Sequence, residues 1–360
     1  MTQHRIATAA DDKTLQQLLR DNAMPSWVSI TTRREPSYFS GAELMGESYT
    51  LLTEATSGTV GMHACSYLPV HIDGKPETIG YLGAMRVAQP FRHRIRFIKS
   101  GFRALRTHLP QQASVPFYFT SIAAENVPAR RLLEADLPGM PRYTPAGEMH
   151  TLVFSSALAQ IPRHLEQATP ADIPEIVDFY NAHAAQFQFS PRLTREWMES
   201  LDGTIGLLVG DFYLHRDKDG RIMGCLALWD QRHFKQSVIE SYRAPLRQLR
   251  PLYNLYARMS NRVELPPCGR ALDYLFIAFF ACSDAHLVPL LLKEAAYLSR
   301  ERSARSCVLG LSPHHPFLPR LKRMLKPSVY VTVIETVVLA GETHDPALEA
   351  YPVQPEVALL

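Results

Sequence analysis

The 360-residue chain has no surplus of either charge, no paired cysteines and no long apolar run. Lys and Arg number 38 against 35 Asp and Glu, a formal +3, too near balance for a dedicated nucleic-acid coat. Any basic function must therefore be local. Five cysteines (Cys65, Cys225, Cys268, Cys282, Cys307) are scattered without a CxxC pair, which argues against zinc clusters and thioredoxin-type chemistry and fits a reducing compartment. Most sit in apolar, strand-like runs and read as small core residues. No segment approaches the ~20 apolar residues of a membrane helix, and the longest candidate, Ala271–Cys282, carries Asp273. Met1–Arg5 lacks the basic-then-apolar layout of a signal peptide, so a soluble, cytoplasmic protein is expected. No P-loop, EF-hand loop, HExxH or Ser-His-Asp order occurs, which leaves nucleotide and zinc hydrolysis unsupported. At ~150 residues per domain, the length predicts two domains.

What is present is an order of elements that runs twice. Asp11 or Asp12 caps a helix with Leu15, Leu18 and Leu19 on one face, and Pro25 ends it. Residues 26–47 read as irregular. Strands follow at 48–54 and 60–70, then the Asp73-Gly74 hairpin turn and a strand over 77–87. Ile95, Ile98, Phe102, Leu105 and Leu109 are spaced 3, 4, 3, 4, one face of a helix. A strand over 115–122, a short helix over 126–134 and a strand over 148–154 complete the first pass. The second pass places a helix at 176–183 with Asp172 as its cap and strands at 205–215 and 221–229 around Asp219-Gly220. A strand at 272–282, a helix carrying Leu287, Leu291, Ala295 and Leu298, a strand at 307–311, a helix at 315–324 and a strand at 329–339 complete it. This predicts an α/β fold by duplication, with domains over 1–156 and 165–342 and a linker near 155–166. An insertion over 231–267 is expected to be partly helical (Leu246, Leu249, Tyr253, Tyr256) and kinked at Pro251. The tail, 343–360, is expected to be extended.

The sharpest local feature is a basic stripe. Arg92, Arg96, Lys99, Arg103 and Arg106 are spaced 4, 3, 4, 3 beside the apolar face. A strand running into a helix start offers free backbone N–H groups and the positive end of the helix dipole, and arginines there make a phosphate seat. A solvated basic face is the plainer alternative. His314-His315 has no Asp, Glu or Cys close in sequence and reads as loop surface, so no metal is expected.

Met85-Arg-Val-Ala-Gln-Pro-Phe-Arg-His-Arg-Ile-Arg-Phe97 resembles the acyl-CoA motif of the GNAT N-acyltransferase superfamily, where a central strand leads into an Arg/Gln-x-x-Gly-x-Gly/Ala loop that wraps the CoA pyrophosphate. Arg92, Arg94, Ile95, Arg96 and Phe97 occupy that loop, with Ile95 and Phe97 where the family has small residues. Ser121–Glu134 resembles the family segment in which an Asn meets the cofactor arm. Asn126, Ala129 and Leu132 match it, and Leu133 replaces the usual Tyr; Asn126 also suits a helix N-cap. The second half has Asp284 where an anion would sit, and His315, Leu318 and Leu321 at the Asn position and those after it.

As topology the resemblance covers nearly the whole chain, and as motif it covers about 78–135. It implies two tandem GNAT-like domains, each a mixed sheet flanked by helices, the first binding the donor and the second degenerate. It implies acyl transfer from acetyl-CoA or another acyl-CoA, a co-substrate rather than a resident cofactor, to an amine on a small molecule or peptide. Backbone N–H groups of Met85, Arg86 or Val87 would polarise the thioester. Tyr81 and Tyr143 are candidates for the proton transfers, and Arg33–Phe39 lies where the family has a substrate-facing loop. Two other readings stay open: an aminoacyl-tRNA-dependent transferase of tandem-GNAT type, its stripe on RNA phosphates, and a non-catalytic ligand-binding protein on a decayed GNAT scaffold.

Overall fold

A computed structural model of the chain describes residues 2–22, 27–109, 117–157, 164–341 and 348–360. The helix stop at Pro25, the first residues of the 115–122 strand, the middle half of the linker and the start of the tail lie outside them. The first half runs β1 (Thr2–Ile6), α1 (Asp12–Arg20), β2 (Val28–Arg33), β3 (Ser48–Ala55), β4 (Gly58–Ile72), β5 (Lys75–Val87), α2 (Ile95–His108), β6 (Tyr118–Ala123), α3 (Val127–Leu133) and β7 (Arg142–Ser155). The second runs β8 (Glu166–Gln167), α4 (Ile173–Ala184), α5 (Arg195–Glu199), β9 (Phe212–Arg216), β10 (Ile222–Trp229), β11 (Gln236–Tyr242), α6 (Ala244–Met259), β12 (Tyr274–Cys282), α7 (Val288–Glu301), β13 (Ser306–Leu311), α8 (Leu318–Leu325) and β14 (Ser328–Val338).

The repeat is visible in local chemistry. Ala7-Thr-Ala-Ala-Asp11 and Ala168-Thr-Pro-Ala-Asp172 each close a capping box ahead of the first helix of their half. The Asp carboxylate accepts from the Thr amide at 2.8 Å in both. Each Asp also receives an arginine from a neighbouring strand, Arg5 or Arg216, at 2.7 Å.

Twelve strands form one sheet in the order β1-β3-β4-β5-β6-β14-β7-β13-β12-β10-β9-β8. The halves exchange their last strands. β14 lies between β6 and β7, and β7 pairs in turn with β13. One face of the sheet is covered by α2 and α3 over Leu82, Phe102, Leu105 and Val337 in the first half, and by α7 and α8 in the second. The other face holds the largest core cluster, in which Ile79 and Phe119 pack with Phe189, Phe212, Trp229 and Phe279.

Two local expectations change. Residues 28–33 are not irregular: β2 pairs antiparallel with β11 of the insertion, tying the halves together. Residues 205–211 are turns, and the strand begins at Phe212. The insertion is partly helical, as expected, with Pro251 inside α6. The tail folds back on the second half, with Val353 and Ala358 buried.

Candidate functional site

β5 and β6 run parallel for two residue pairs only, Gly80 with Tyr118 and Tyr81 with Phe119. The Thr120 hydroxyl donates to Leu82 O at 2.7 Å and closes the apex; beyond it the strands part. Gly80 is required there, because a Cβ would stand 2.2 Å from the Tyr118 ring. A bulge opposite His63 breaks the β4–β5 register and puts Ala84 in the left-handed region at φ 49°. The result is a wedge whose β5 wall is Gly83 to Val87.

The chain then turns into α2. A short turn, Gln89–Phe91, leads to Arg94, which precedes the helix without a side-chain cap. The amides of His93, Ile95 and Arg96 have no acceptor among the described residues, whereas that of Phe97 bonds Arg94 O at 2.9 Å. The first turn carries no acidic residue. Free amides at the positive end of a 14-residue helix are an anion seat. Phe97 turns inward, edge-on to Phe91 at 5.2 Å, and Arg96 and Arg94 lie over those rings at 4.9 and 5.9 Å with their guanidinium edges exposed. The large residue at 97 therefore anchors the loop rather than filling it.

The stripe is not uniform. Arg92 donates to Asn22 Oδ1 at 2.6 Å and towards Val87 O at 3.3 Å, bracing the turn. Lys99 bonds Pro138 O and Arg106 bonds Ala340 O. The side chains of Arg94, Arg96 and Arg103 make no hydrogen bond to the described residues and are exposed. Asn126 caps α3, its Oδ1 accepting from the Ala129 amide at 3.4 Å.

Tyr81 and Tyr143 are not brought together. Tyr81 points to the face shared with the second half, its ring 5.0 Å from Phe119, and burial pushes its hydroxyl up to about 12. Tyr143 packs on the opposite face, 6.3 Å from Phe102 and near Glu335, and burial pushes it well above the usual tyrosine range. Around Tyr81 stand the guanidinium groups of Arg86 and Arg34, whose segments the sequence singles out without marking these two side chains. Arg86 shares its face, is half-buried and has an Nε shut off from solvent without a partner; its Nη1 donates to Met85 O at 2.9 Å. Burial lowers its affinity for its proton. Arg34 lies 5.0 Å from the Tyr38 ring and donates to Tyr38 O. No side-chain carboxylate among the described residues lies within 4 Å of either guanidinium, whereas Arg5, Arg216, Arg232 and Arg302 are all paired. Lys235, in the insertion, donates to Leu360 O at 2.5 Å; burial, with Arg34 adding repulsion, drops its ammonium to about 7. Nothing local in the sequence marks Lys235, since its desolvation comes from elements distant in the chain.

The second half repeats the wedge and closes it. β12 and β13 pair over Tyr274–Phe276 and then part. Phe279 takes the left-handed position, φ 51°, at a matching bulge. Its ring packs against Phe212, Trp229, Tyr180 and Trp197. Its amide donates to Glu356 of the tail at 2.9 Å, and Gln354 accepts from the Ser312 amide at 3.0 Å. His315 is buried rather than on the surface, stacked on Phe187, and burial pushes it down to about 4.

No protein family model matches the chain, and no curated protein does. Solved structures do. Saccharomyces cerevisiae N-myristoyltransferase with bound myristoyl-CoA is similar over 97% of this chain and 87% of that one, at a TM-score of 0.56 and 11% identity. Two further structures of the same yeast enzyme with myristoyl-CoA, one also with inhibitors, give TM-scores of 0.60 and 0.59 at 11% and 12% identity, over 93% of this chain and 78% and 80% of theirs. At such identities the likeness concerns the fold: two GNAT-like units in tandem, the fold of GNAT-type N-acyltransferases.

Proposed function

We propose that the protein transfers an acyl group from acyl-CoA to an amine in the first-half wedge. The observation that carries this reading is the trio of amides at His93, Ile95 and Arg96 without an acceptor among the described residues, just beyond the end of the β5 segment that has parted from β6. The pyrophosphate would lie on those amides with Arg94 and Arg96 beside it, and the pantetheine arm would run along β5. An N–H among Met85, Arg86 and Val87 would polarise the thioester carbonyl. That the yeast enzyme of this fold was solved with myristoyl-CoA supports an acyl-CoA donor; the acyl length here is open between acetyl and longer chains.

The amine must arrive neutral and the leaving thiolate must gain a proton. Tyr81 keeps its proton through neutral pH and so serves as donor, not base. Lys235, about half neutral at pH 7 and linked to Tyr81 through the neighbouring Arg34, is the proton acceptor of this reading. Tyr143, on the far face, takes no part. Arg86 and Arg34 favour an acceptor that carries a carboxylate. Phosphate seating needs only the start of α2, and Arg106 at its far end is tied to Ala340, which favours CoA over a nucleic-acid backbone.

The test is calorimetry with acetyl-CoA, octanoyl-CoA and myristoyl-CoA. One site per chain is expected, with affinity shared by CoA itself. Absence of binding by all of them would sink the reading.

A further inference from the structure

The insertion helix α6 carries an apolar face that the protein leaves uncovered. Leu249 is 57% exposed, Leu252 68%, Leu255 59%, Tyr256 53% and Met259 81%. Among the described residues eleven large hydrophobics are exposed, and five of them are on this one helix. At 3.6 residues per turn the five fall within an arc of roughly 120°. Single exposed leucines need no explanation, but a contiguous stripe does.

The helix is firmly mounted. Ala257 is fully buried on the opposite side, Asn254 exchanges hydrogen bonds with the Leu265 backbone at 3.0 and 2.8 Å, and the Tyr253 hydroxyl donates to Val263 O. Trp27, 51% exposed, joins at its start: its carbonyl accepts from the Arg243 amide at 3.1 Å and its ring lies 5.1 Å from the Arg243 guanidinium.

Charge says what covers the stripe. α6 contains Arg247, Arg250 and Arg258 and no acidic residue, with Arg243 and Arg262 just outside it. Arg247 and Arg258 stand on the flank between the apolar arc and the body. Among the described residues only Arg258 of these five has a carboxylate partner, Glu264 at 2.9 Å. At about 1.5 Å per residue, 16 residues are too short to span a hydrocarbon core of ~30 Å. A fixed apolar stripe with arginines on its flank and an aromatic at its end is the chemistry of a helix lying in a membrane interface. We propose that α6, together with Trp27, docks the protein on the surface of an anionic lipid bilayer. Pairing with a second copy through the same stripe would bring together Arg243 and Arg247 of both copies, which have no carboxylate partner among the described residues, whereas anionic headgroups neutralise them. The docked face is linked to the wedge: α6 follows β11, whose partner β2 leads directly into Arg34.

Co-sedimentation of the full chain with vesicles tests this. It should bind phosphatidylcholine–phosphatidylglycerol vesicles, bind phosphatidylcholine alone much less, and release in high salt. Leu252→Glu with Leu255→Glu should weaken binding at least about 10-fold without moving the melting temperature, because both side chains are exposed. Arg243→Gln with Arg247→Gln should weaken it several-fold and flatten its salt dependence. No binding by the wild type would overturn the proposal, as would unchanged binding by the leucine variant. A wild-type dimer that the leucine variant makes monomeric, with no vesicle binding, would assign the stripe to a second copy instead.

Discussion

The two wedges come from one design and have opposite fates. Each opens after a short parallel pairing, and each has a left-handed residue at a bulge of its central strand, Ala84 in the first and Phe279 in the second. The first is a small side chain, Ala84, beside the Leu15 and Tyr38 cluster. The second is large and stands among stacked rings, and the tail reaches it, with Glu356 on the Phe279 amide. The helix that follows differs likewise. α2 begins with free amides and arginines, while before α7 the His286 amide is already held by Asp284 Oδ1 at 2.7 Å. On the proposed reading a duplicated fold becomes one site and one support, and in the support the protein's own rings and tail stand where the ligand would lie in the other.

The sharpest way to break this comparison is to unplug the second wedge. Deleting residues 348–360 removes buried Val353 and Ala358 and should lower the melting temperature on the order of 10 °C in calorimetry, with acyl-CoA still bound once per chain. A second CoA site in that variant would show that the plug alone separates the halves. Next comes Lys235→Met. The wild-type rate should fall below about pH 7 as Lys235 is protonated, and the variant should lose that limb together with roughly 100-fold in kcat/KM. An unchanged pH profile would remove Lys235 from the chemistry. Arg94→Ala with Arg96→Ala should weaken CoA by about 10- to 100-fold, since a charge-assisted hydrogen bond is worth ~1.5–3 kcal/mol, while Arg103→Ala leaves it near wild type. Equal losses at all three would point to a backbone-tracking stripe instead.

The smallest effect concerns Glu335, buried in β14 and raised to about 7 by burial and by Glu134. Folded protein holds a proton there that the unfolded chain releases near 4.5. The stability gained is complete below about pH 4.5 and is lost as the pH rises through 7. Glu335→Gln should therefore melt higher than wild type at pH 8, with the gap closing towards pH 5. A gap independent of pH would mean that the carboxyl does not titrate.

What the sequence could say follows what is local. The 3-4 spacing of Ile98, Phe102 and Leu105 announces α2, and the five-residue echo Ala-Thr-x-Ala-Asp at 7–11 and 168–172 was a repeat signal open to inspection. Binary alternation along residues 328–338 announces a strand but says nothing about its neighbours, so the exchange with β7 was hidden. The β2–β11 pairing was missed for the same reason: its partners are some 200 residues apart. Arg86 is legible in the sequence as a backbone contributor, yet the orphaned Nε of its side chain depends on which elements cover it. Ile95 and Phe97 show why a motif's departure is hard to read in one dimension, for Phe97 turns to the core and leaves the amides open.

The exchanged strands also set a timetable for synthesis. The open edge of β6 must wait for β14, which leaves the ribosome some 200 residues later. At the usual ~5–20 residues per second that is on the order of ten to forty seconds. Throughout it, Phe119 and Ile122 lie on a strand whose natural neighbour does not yet exist, an invitation to foreign strands. A nascent chain of this protein is therefore a client for chaperones until its last strand arrives, and a gene cut between the halves would leave the first product in that condition permanently.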